Sequence, residues 1–388
     1  MVKDVKKSLG IYVHIPFCAR KCNYCDFLSW NKSEDVQREY IRALVREIKV
    51  SSDEFRECCV ETIYIGGGTP SFVDSRYIGE LLECIYDKYD VRDNAEVTIE
   101  VNPGILDIKK IMDYKKAGIN RVSMGLQSTI NEELEMLGRI HTYEEFLENY
   151  KGIRSVGIDN VSIDLMFAIP NQTVESYEKS LRRVVNLKPS HISSYSLIIE
   201  EGTLFYKNKD SLKLVCEDEE RQMYYMTDEI LKANGYDRYE ISNYALKGME
   251  SRHNTSYWIG TDYVGFGLGA SSYVNGIRYE RTRDMEEYIK FYTTVDRNES
   301  MNESIICNKQ VLSREEKMEE FMFLGLRMTN GVSVDEFKNK FSKDIFNVYG
   351  EVINKYTNMD FMKFNKDRVY LTEKGLDVSN VIFSDFLI

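Results

Sequence analysis

Three cysteines stand close together near the amino terminus, in Tyr12-Val-His-Ile-Pro-Phe-Cys18-Ala-Arg-Lys-Cys22-Asn-Tyr-Cys25-Asp-Phe27. The C-x3-C-x2-C spacing fits one tight loop, and a set of soft thiolates suits an iron–sulfur cluster. Three thiolates are one short of the four that close a cubane, so one iron is left for an exchangeable ligand. A zinc knuckle or three unrelated buried cysteines are the plain alternatives. Zinc wants a fourth protein ligand, and no Cys-x2-Cys or His-x3-His partner follows downstream. His14 could serve, but its alternating run puts it inside a strand. A [4Fe–4S] cluster is the expectation.

Further chemistry-bearing residues recur along the first half of the chain. They are Gly66-Gly-Gly-Thr-Pro70, Glu100 in Glu-Val-Asn-Pro, Gln127 in Ser-Met-Gly-Leu-Gln-Ser, Arg139 in Leu-Gly-Arg-Ile-His, and Asp164. Glycines let backbone approach a ligand closely, but a lone triple glycine also marks a tight turn. Each of the others, alone, reads as an ordinary surface polar residue. Position gives them weight. Six segments rich in Val, Ile, Ser and Tyr read as buried strands: 11–17, 62–65, 96–101, 121–127, 160–167 and 191–199. Helical patterns lie between them, over 33–50, 74–86, 107–116, 143–155 and 174–187. In the first, Val36, Tyr40, Ile41, Leu44, Val45 and Ile48 share one helix face behind Ser33. Such alternation builds a parallel sheet with right-handed crossovers. Six units fall short of a closed eight-stranded barrel, so an α/β fold with an open, partial (βα)6 TIM-like barrel is expected. Sites in these folds gather at the carboxyl ends of strands. The cysteine loop follows strand one and the triple glycine strand two. Glu100 and Gln127 close strands three and four, and Asp164 lies in strand five.

From about residue 210 the rhythm changes. A helix over 218–234 precedes an aromatic, Gly-rich stretch, 236–279. Residues 284–293 read as helix and 297–309 as a polar linker. Ser313-Arg-Glu-Glu is a capping box opening a helix to 328. Helices over 333–341 and 344–356, with a hairpin of 361–364 and 369–371, make a small winged-helix-like module. The expected partition is 1–235 for the barrel core, 236–305 for an extension containing His253-Asn-x-x-Tyr-Trp258, and 306–388 for the C-terminal helical module.

Lys and Arg number 51 against 63 Asp and Glu, a net charge of −12, which argues against a nucleic-acid partner. No stretch approaches the ~20 consecutive apolar residues of a membrane span, and the Lys-rich start lacks the apolar core of a signal peptide. A cytoplasmic protein is expected, where clustered cysteines point to metal or redox chemistry rather than disulfides. Cys58, Cys59, Cys84, Cys216 and Cys307 have no partners at metal spacing and read as small buried apolar groups.

The cysteine motif resembles the signature of the radical SAM superfamily. That resemblance implies a cluster on Cys18, Cys22 and Cys25. It also implies S-adenosyl-L-methionine on the open iron through its amino and carboxylate groups, and cleavage of the sulfonium to a 5′-deoxyadenosyl radical. Within the superfamily the motifs resemble the coproporphyrinogen-oxidase-like branch. By that match Tyr12 and the loop of Gly67, Gly68 and Thr69 lie beside the methionine moiety. Glu100, Gln127, Arg139 and Asp164 line the nucleoside and carboxylate. Ile198, on strand six, packs near the adenine, and Tyr24 contributes backbone contacts. His141 supports the region around Arg139, while His14 and His191 lie inside strands. Tyr239-Glu-Ile-Ser-Asn-Tyr-Ala, His253-Asn-Thr-Ser-Tyr-Trp258, Gly265-Phe-Gly-Leu-Gly-Ala, Glu319-Glu-Phe-Met-Phe-Leu-Gly-Leu-Arg327 and Leu371-Thr-Glu-Lys-Gly are similar to the HemW-type haem chaperones of this branch.

Two departures separate the chain from the oxidase of the branch. The oxidase carries a fourth cysteine two residues after the third, where this chain has Phe27. It also has a longer extension before the cluster, where this chain has 17 residues. Phe167-Ala-Ile-Pro-Asn-Gln172 departs from the chaperones' Tyr-Gly-Leu-Pro-Gly-Gln at a turn. The resemblance thus implies a chaperone that binds haem and passes it to a haem-protein acceptor. The cluster and S-adenosylmethionine would serve regulation, assembly or a redox step, with an electron donor such as flavodoxin or ferredoxin. His253, Tyr257 and Trp258 form the candidate haem site, because imidazole is a good axial ligand and the rings offer flat surfaces. A histidine hydrogen-bonded within an aromatic core is the equal alternative. The second reading is a radical enzyme, decarboxylating a tetrapyrrole or transferring methyl or methylene groups. A tRNA-modifying enzyme is disfavoured by the acidic charge.

Overall fold

The computed structural model describes residues 6–294 and 305–388. Strand and helix alternate in the order β1 (Lys7–Ile15), α1 (Glu34–Ser51), β2 (Cys58–Gly67), α2 (Ser75–Lys88), β3 (Val91–Val101), α3 (Ile108–Lys116), β4 (Arg121–Gln127), α4 (Asn131–Met136), α5 (Tyr143–Ser155), β5 (Asn160–Phe167), α6 (Val174–Asn186) and β6 (His191–Ser196). β1 to β6 lie side by side in sequence order and run parallel. The class is α/β, as expected. Helices turn one apolar face to the sheet: α1 buries Tyr40, Ile41, Leu44 and Ile48. α5 starts where Thr142 and Glu145 form a capping box, each side chain accepting from the other residue's N–H.

The sheet extends beyond these six strands at both edges. After α7 (Leu204–Lys207) and α8 (Glu217–Ala233), the strands β7 (Asp237–Arg238) and β8 (Asn243–Ala245) add to β6 in the antiparallel sense. After α9 (Arg252–Trp258), β9 (Tyr263–Phe266) pairs parallel with β1. β10 (Ser271–Val274), β11 (Ile277–Arg281), α10 (Met285–Thr294) and β12 (Ile306–Val311) carry that edge outward, the strands antiparallel. The aromatic, Gly-rich stretch therefore supplies edge strands, and the twelve-stranded sheet stays open. β12 corrects part of the expected linker; residues 297–304 of it lie outside the described residues. Cys216, at the start of α8, and Cys307, on β12, are exposed rather than buried.

The C-terminal module comprises α11 (Arg314–Gly325), β13 (Val332–Ser333), α12 (Val334–Phe341), α13 (Ile345–Asn358), β14 (Met362–Phe364), β15 (Arg368–Leu371), α14 (Glu373–Asp377) and α15 (Ser379–Ser384). The Ser313–Glu316 capping box opens α11. Helices and a three-stranded sheet enclose a core of their own, including Met322, Phe337, Ile353 and Phe386. The module meets the barrel through Thr329 N–H, which donates to Tyr239 O at 3.0 Å, and Arg327, 4.4 Å over the Trp258 ring. Among the described residues no helix is long and apolar enough to cross a membrane.

Candidate functional site

Cys18, Cys22 and Cys25 line one cleft of about 150 Å³ at the carboxyl ends of β1 to β5. The base of the cysteine loop is closed by Cys18 N–H donating to Trp30 O at 3.0 Å and Trp30 N–H to Pro16 O at 2.9 Å. Asn23 pins its tip. The Asn23 N–H donates to Leu137 O at 2.9 Å, the Asn23 amide donates to Met136 O at 2.8 Å, and Asn23 O accepts from Phe205 N–H at 2.9 Å. Among the described residues no three His, Cys, Asp or Glu side chains converge on a single-ion site. Burial pushes the Cys18 thiol up and the Cys25 thiol up to about 11, so a cation has to displace their protons.

The glycine loop after β2 abuts the same loop. Gly67 has φ +108, and a Cβ on Gly68 would lie 2.9 Å from the backbone of Ile15 and Phe17. Only glycine lets the end of β2 pass so close. Thr69 Oγ1 hydrogen-bonds Cys18 Sγ at 3.2 Å and accepts from Asn102 Nδ2 at 2.7 Å. Asn102 Oδ1 accepts from Arg139 Nη2 at 2.8 Å, and Arg139 Nη1 lies 3.5 Å from Cys22 Sγ. One polar chain thus ties the glycine loop, β3 and the Arg139 segment around two thiols. Arg139 Nε is buried without a partner, which suits a bound carboxylate.

Across the cleft, Glu100 accepts from Tyr64 OH at 2.7 Å and Gly67 N–H at 3.1 Å. Burial pushes its carboxyl up to about 7, and Asp164 adds to this. Asp164 is also raised by burial; Ser123 Oγ donates to it at 3.2 Å. Gln127 ends β4 in the left-handed region, φ 72, at a bulge opposite Asp164 and Leu165. Thiols, two carboxylates, a guanidinium and a glycine loop in one cleft match the donor set that a cluster and a zwitterionic nucleoside would need.

Tyr24, Gly67, Gly68, Thr69, Glu100, Gln127, Arg139 and Asp164 all border this cleft. Tyr12 borders an adjoining one instead. The strand expected to carry Ile198 is corrected: β6 ends at Ser196, and Ile198 lies two residues beyond it, 68% exposed and not among the residues that border the cleft. Asn102, Ser123 and Tyr64 were not singled out by the sequence. Asn102 sits within the Glu100 motif, and Tyr64 shares a strand face with Gly66, so period-two reading could have found both.

The adjoining cleft, about 610 Å³, carries Tyr12, Phe27, Tyr257, Trp258, Tyr263 and Tyr273 on its walls, with Arg278 and Arg283. Phe27, Gly67 and Glu100 border both clefts. Glu320 and Leu324 of α11 complete the wall. His253 does not reach it. This histidine is 1% exposed, with Nδ1 bonded to Thr62 Oγ1 at 2.8 Å and Nε2 to Tyr257 OH at 2.8 Å. Burial pushes it down to about 3. The expected axial-ligand role would require freeing one ring nitrogen from its bond and opening the buried ring to the cleft; in this geometry the imidazole is a prop behind Tyr257. His14, which borders the cleft, bonds Tyr12 OH and Leu28 O, each at 3.0 Å.

The profile of the Radical SAM superfamily matches residues 12–184, and that of the HemN C-terminal domain residues 312–378. A Lactococcus lactis protein named heme chaperone HemW is 36% identical over 99% of this chain and 98% of its own length. The chain belongs to the HemW family. Another HemW, from Bacillus subtilis, is 34% identical over 97% of this chain and 98% of its own. The solved coproporphyrinogen III oxidase (HemN) of Escherichia coli, described as a radical SAM enzyme, superposes with a TM-score of 0.85. It is 20% identical, with 98% of this chain and 90% of that one covered, a likeness of fold. In this HemW-family chain the superfamily match spans every residue that borders the three-cysteine cleft. The C-terminal match contains Glu320 and Leu324 of the second.

Proposed function

We propose that this chain is a haem chaperone: it binds haem in the aromatic cleft and passes it to a haem-protein acceptor. The end-to-end match to relatives named heme chaperone carries this reading. The cleft supports it with flat aromatic walls and two arginines beside the three-cysteine site. Cys18, Cys22 and Cys25 would hold a [4Fe–4S] cluster. The Gly67–Thr69 loop, Glu100 and Arg139 would hold the amino and carboxylate groups of S-adenosylmethionine, and Gln127 and Asp164 its nucleoside. When bound, the cluster supplies the electron that cleaves the sulfonium, taken from a donor such as flavodoxin or ferredoxin.

The chain's own residues couple the two clefts. An ammonium beside Glu100 favours its ionised form, and Glu100 also borders the aromatic cleft. Phe27, at the rim of both, puts an apolar ring where a further thiol would sit in the oxidase-like pattern. His253 holds Tyr257 in place, and the helix carrying both is anchored by Glu96, whose carboxylate accepts from the Arg252 and His253 N–H groups, each at 3.0 Å.

Titrating haem into the purified, cluster-loaded protein tests the reading. A Soret change at micromolar haem is expected, and its absence would sink the chaperone. An anaerobic incubation with coproporphyrinogen III, S-adenosylmethionine and reductant should give no decarboxylated product; product would make the chain an oxidase. Cys22→Ala should abolish the brown chromophore, and a full cluster in that variant would refute the ligand set.

A further inference from the structure

Arg278 and Glu320 face each other across the wall of the aromatic cleft. Arg278 Nη1 and Nη2 donate to Glu320 Oε1 and Oε2 at 2.7 and 3.1 Å, a two-pronged pairing. Arg278 belongs to β11 and Glu320 to α11, so the pair links the barrel to the C-terminal module. The guanidinium sits 5.5 Å over the Tyr273 ring, which also borders the cleft. Its side chain is 39% exposed, against 13% for Glu320. The cation is therefore the more open partner, and the carboxylate is the one held in the wall.

Resting on the haem reading above, we propose that Arg278 is the carboxylate anchor of this cleft and that Glu320 is its built-in competitor. The fork that seats the Glu320 carboxylate has the shape to seat another alkyl carboxylate. A macrocycle lying on the aromatic walls and carrying propionate side chains offers that group. Its carboxylate takes the guanidinium from Glu320, and α11 loses one of its ties to the barrel. Loading is thereby opposed by a group of the protein, and unloading is assisted when Glu320 returns to Arg278. A carrier needs such a balance, because a cargo held without competition is slow to leave. Arg283, bordering the same cleft and paired with Glu280 at 2.6 Å, offers a second, more exposed cation.

The test compares haem with haem dimethyl ester, which keeps the ring and iron but has no free carboxylate. Both are titrated, from one detergent stock, into the full chain and two variants. Wild type should bind haem more tightly than the ester. Arg278→Gln should weaken haem about tenfold, the scale of one charge-assisted pair, and leave the ester unchanged. Glu320→Gln should tighten haem a few-fold, again without effect on the ester. Equal binding of haem and ester by wild type overturns the anchor, as does an Arg278→Gln variant with unaltered haem affinity. Loss of haem and ester alike shows that Arg278 acts through packing, and overturns it too. Should Arg278→Gln melt at markedly lower temperature than wild type, Arg278→Lys keeps the charge without the fork; it should lie between wild type and full loss, and wild-type haem affinity there overturns the proposal. Failure of wild type to bind haem removes the chaperone reading and the anchor with it. Haem binding that ignores Arg278 removes the anchor alone.

Discussion

Glu100 borders both clefts with its carboxyl pushed up to about 7 by burial. The unfolded chain releases that proton near pH ~4.3. Between those values the folded state holds a proton that the unfolded state has lost, so stability falls as pH rises, with the full cost present above about 7. Glu100→Gln should flatten this slope in the cluster-free protein and raise stability at pH 8 by about 2 kcal/mol relative to wild type, while weakening S-adenosylmethionine binding. Urea melts at pH 5 and pH 8 read it directly; an unchanged pH profile in the variant counts against the assignment. His253 shows where residue-level reading stops. Its motif names types, but its partner Thr62 is 191 residues away in sequence, so a ligand and a prop look alike until the chain is folded. His253→Ala should cost about 2 kcal/mol by orphaning the Thr62 and Tyr257 hydroxyls, yet leave the position of the Soret band in the haem complex unaltered. A displaced band would restore the histidine as a ligand.

The barrel strands β4 and β5 and helix α5 were legible to the residue, because each is bounded by a turn and patterned by burial. The ends of β1 were not: Lys7, Ser8 and Leu9 join the strand by pairing with Cys58, Cys59 and Val60, a cross-strand pairing that a segment opening on Lys and Ser does not advertise. β12 read as a linker because it is exposed on nearly every residue and shows no alternation, as edge strands can. Ile198 was misplaced for the opposite reason, since an apolar run continued past the last ladder bond. The glycine loop tests whether strand ends, rather than side chains alone, build the site. Gly68→Ala sets a Cβ 2.9 Å from the backbone of β1's end and the cysteine loop and should cost about 3 kcal/mol, with poor cluster retention. Gly79→Ala on α2, where nothing lies within 4 Å, should stabilise by about 0.5–1 kcal/mol. Thermal melts of the two variants moving the same way would contradict this picture of the loop.

At the scale of the molecule, the two largest cores among the described residues are separate, one in the barrel and one in the C-terminal module, and the aromatic cleft lies where they meet. The sequence showed the change of rhythm but not that the later residues return to the barrel at both edges, because strand order is set by pairing between distant segments. The three-cysteine cleft needs only residues from the first half, whereas the aromatic cleft needs Glu320 and Leu324 as well. Motion of the module should therefore act on one cleft and spare the other. Arg327 tests this. It lies 4.4 Å over Trp258, with its charge disfavoured by burial, and it joins the module to the helix that carries Tyr257. Arg327→Ala removes this contact and leaves both cores intact. Amide hydrogen exchange should quicken across α11 and α9 while β1 to β5 keep their protection. Haem affinity should drop several-fold, and cluster content should stay at the wild-type level. Exchange that quickens uniformly, or a cluster lost together with haem, would mean that the two clefts share one cooperative unit.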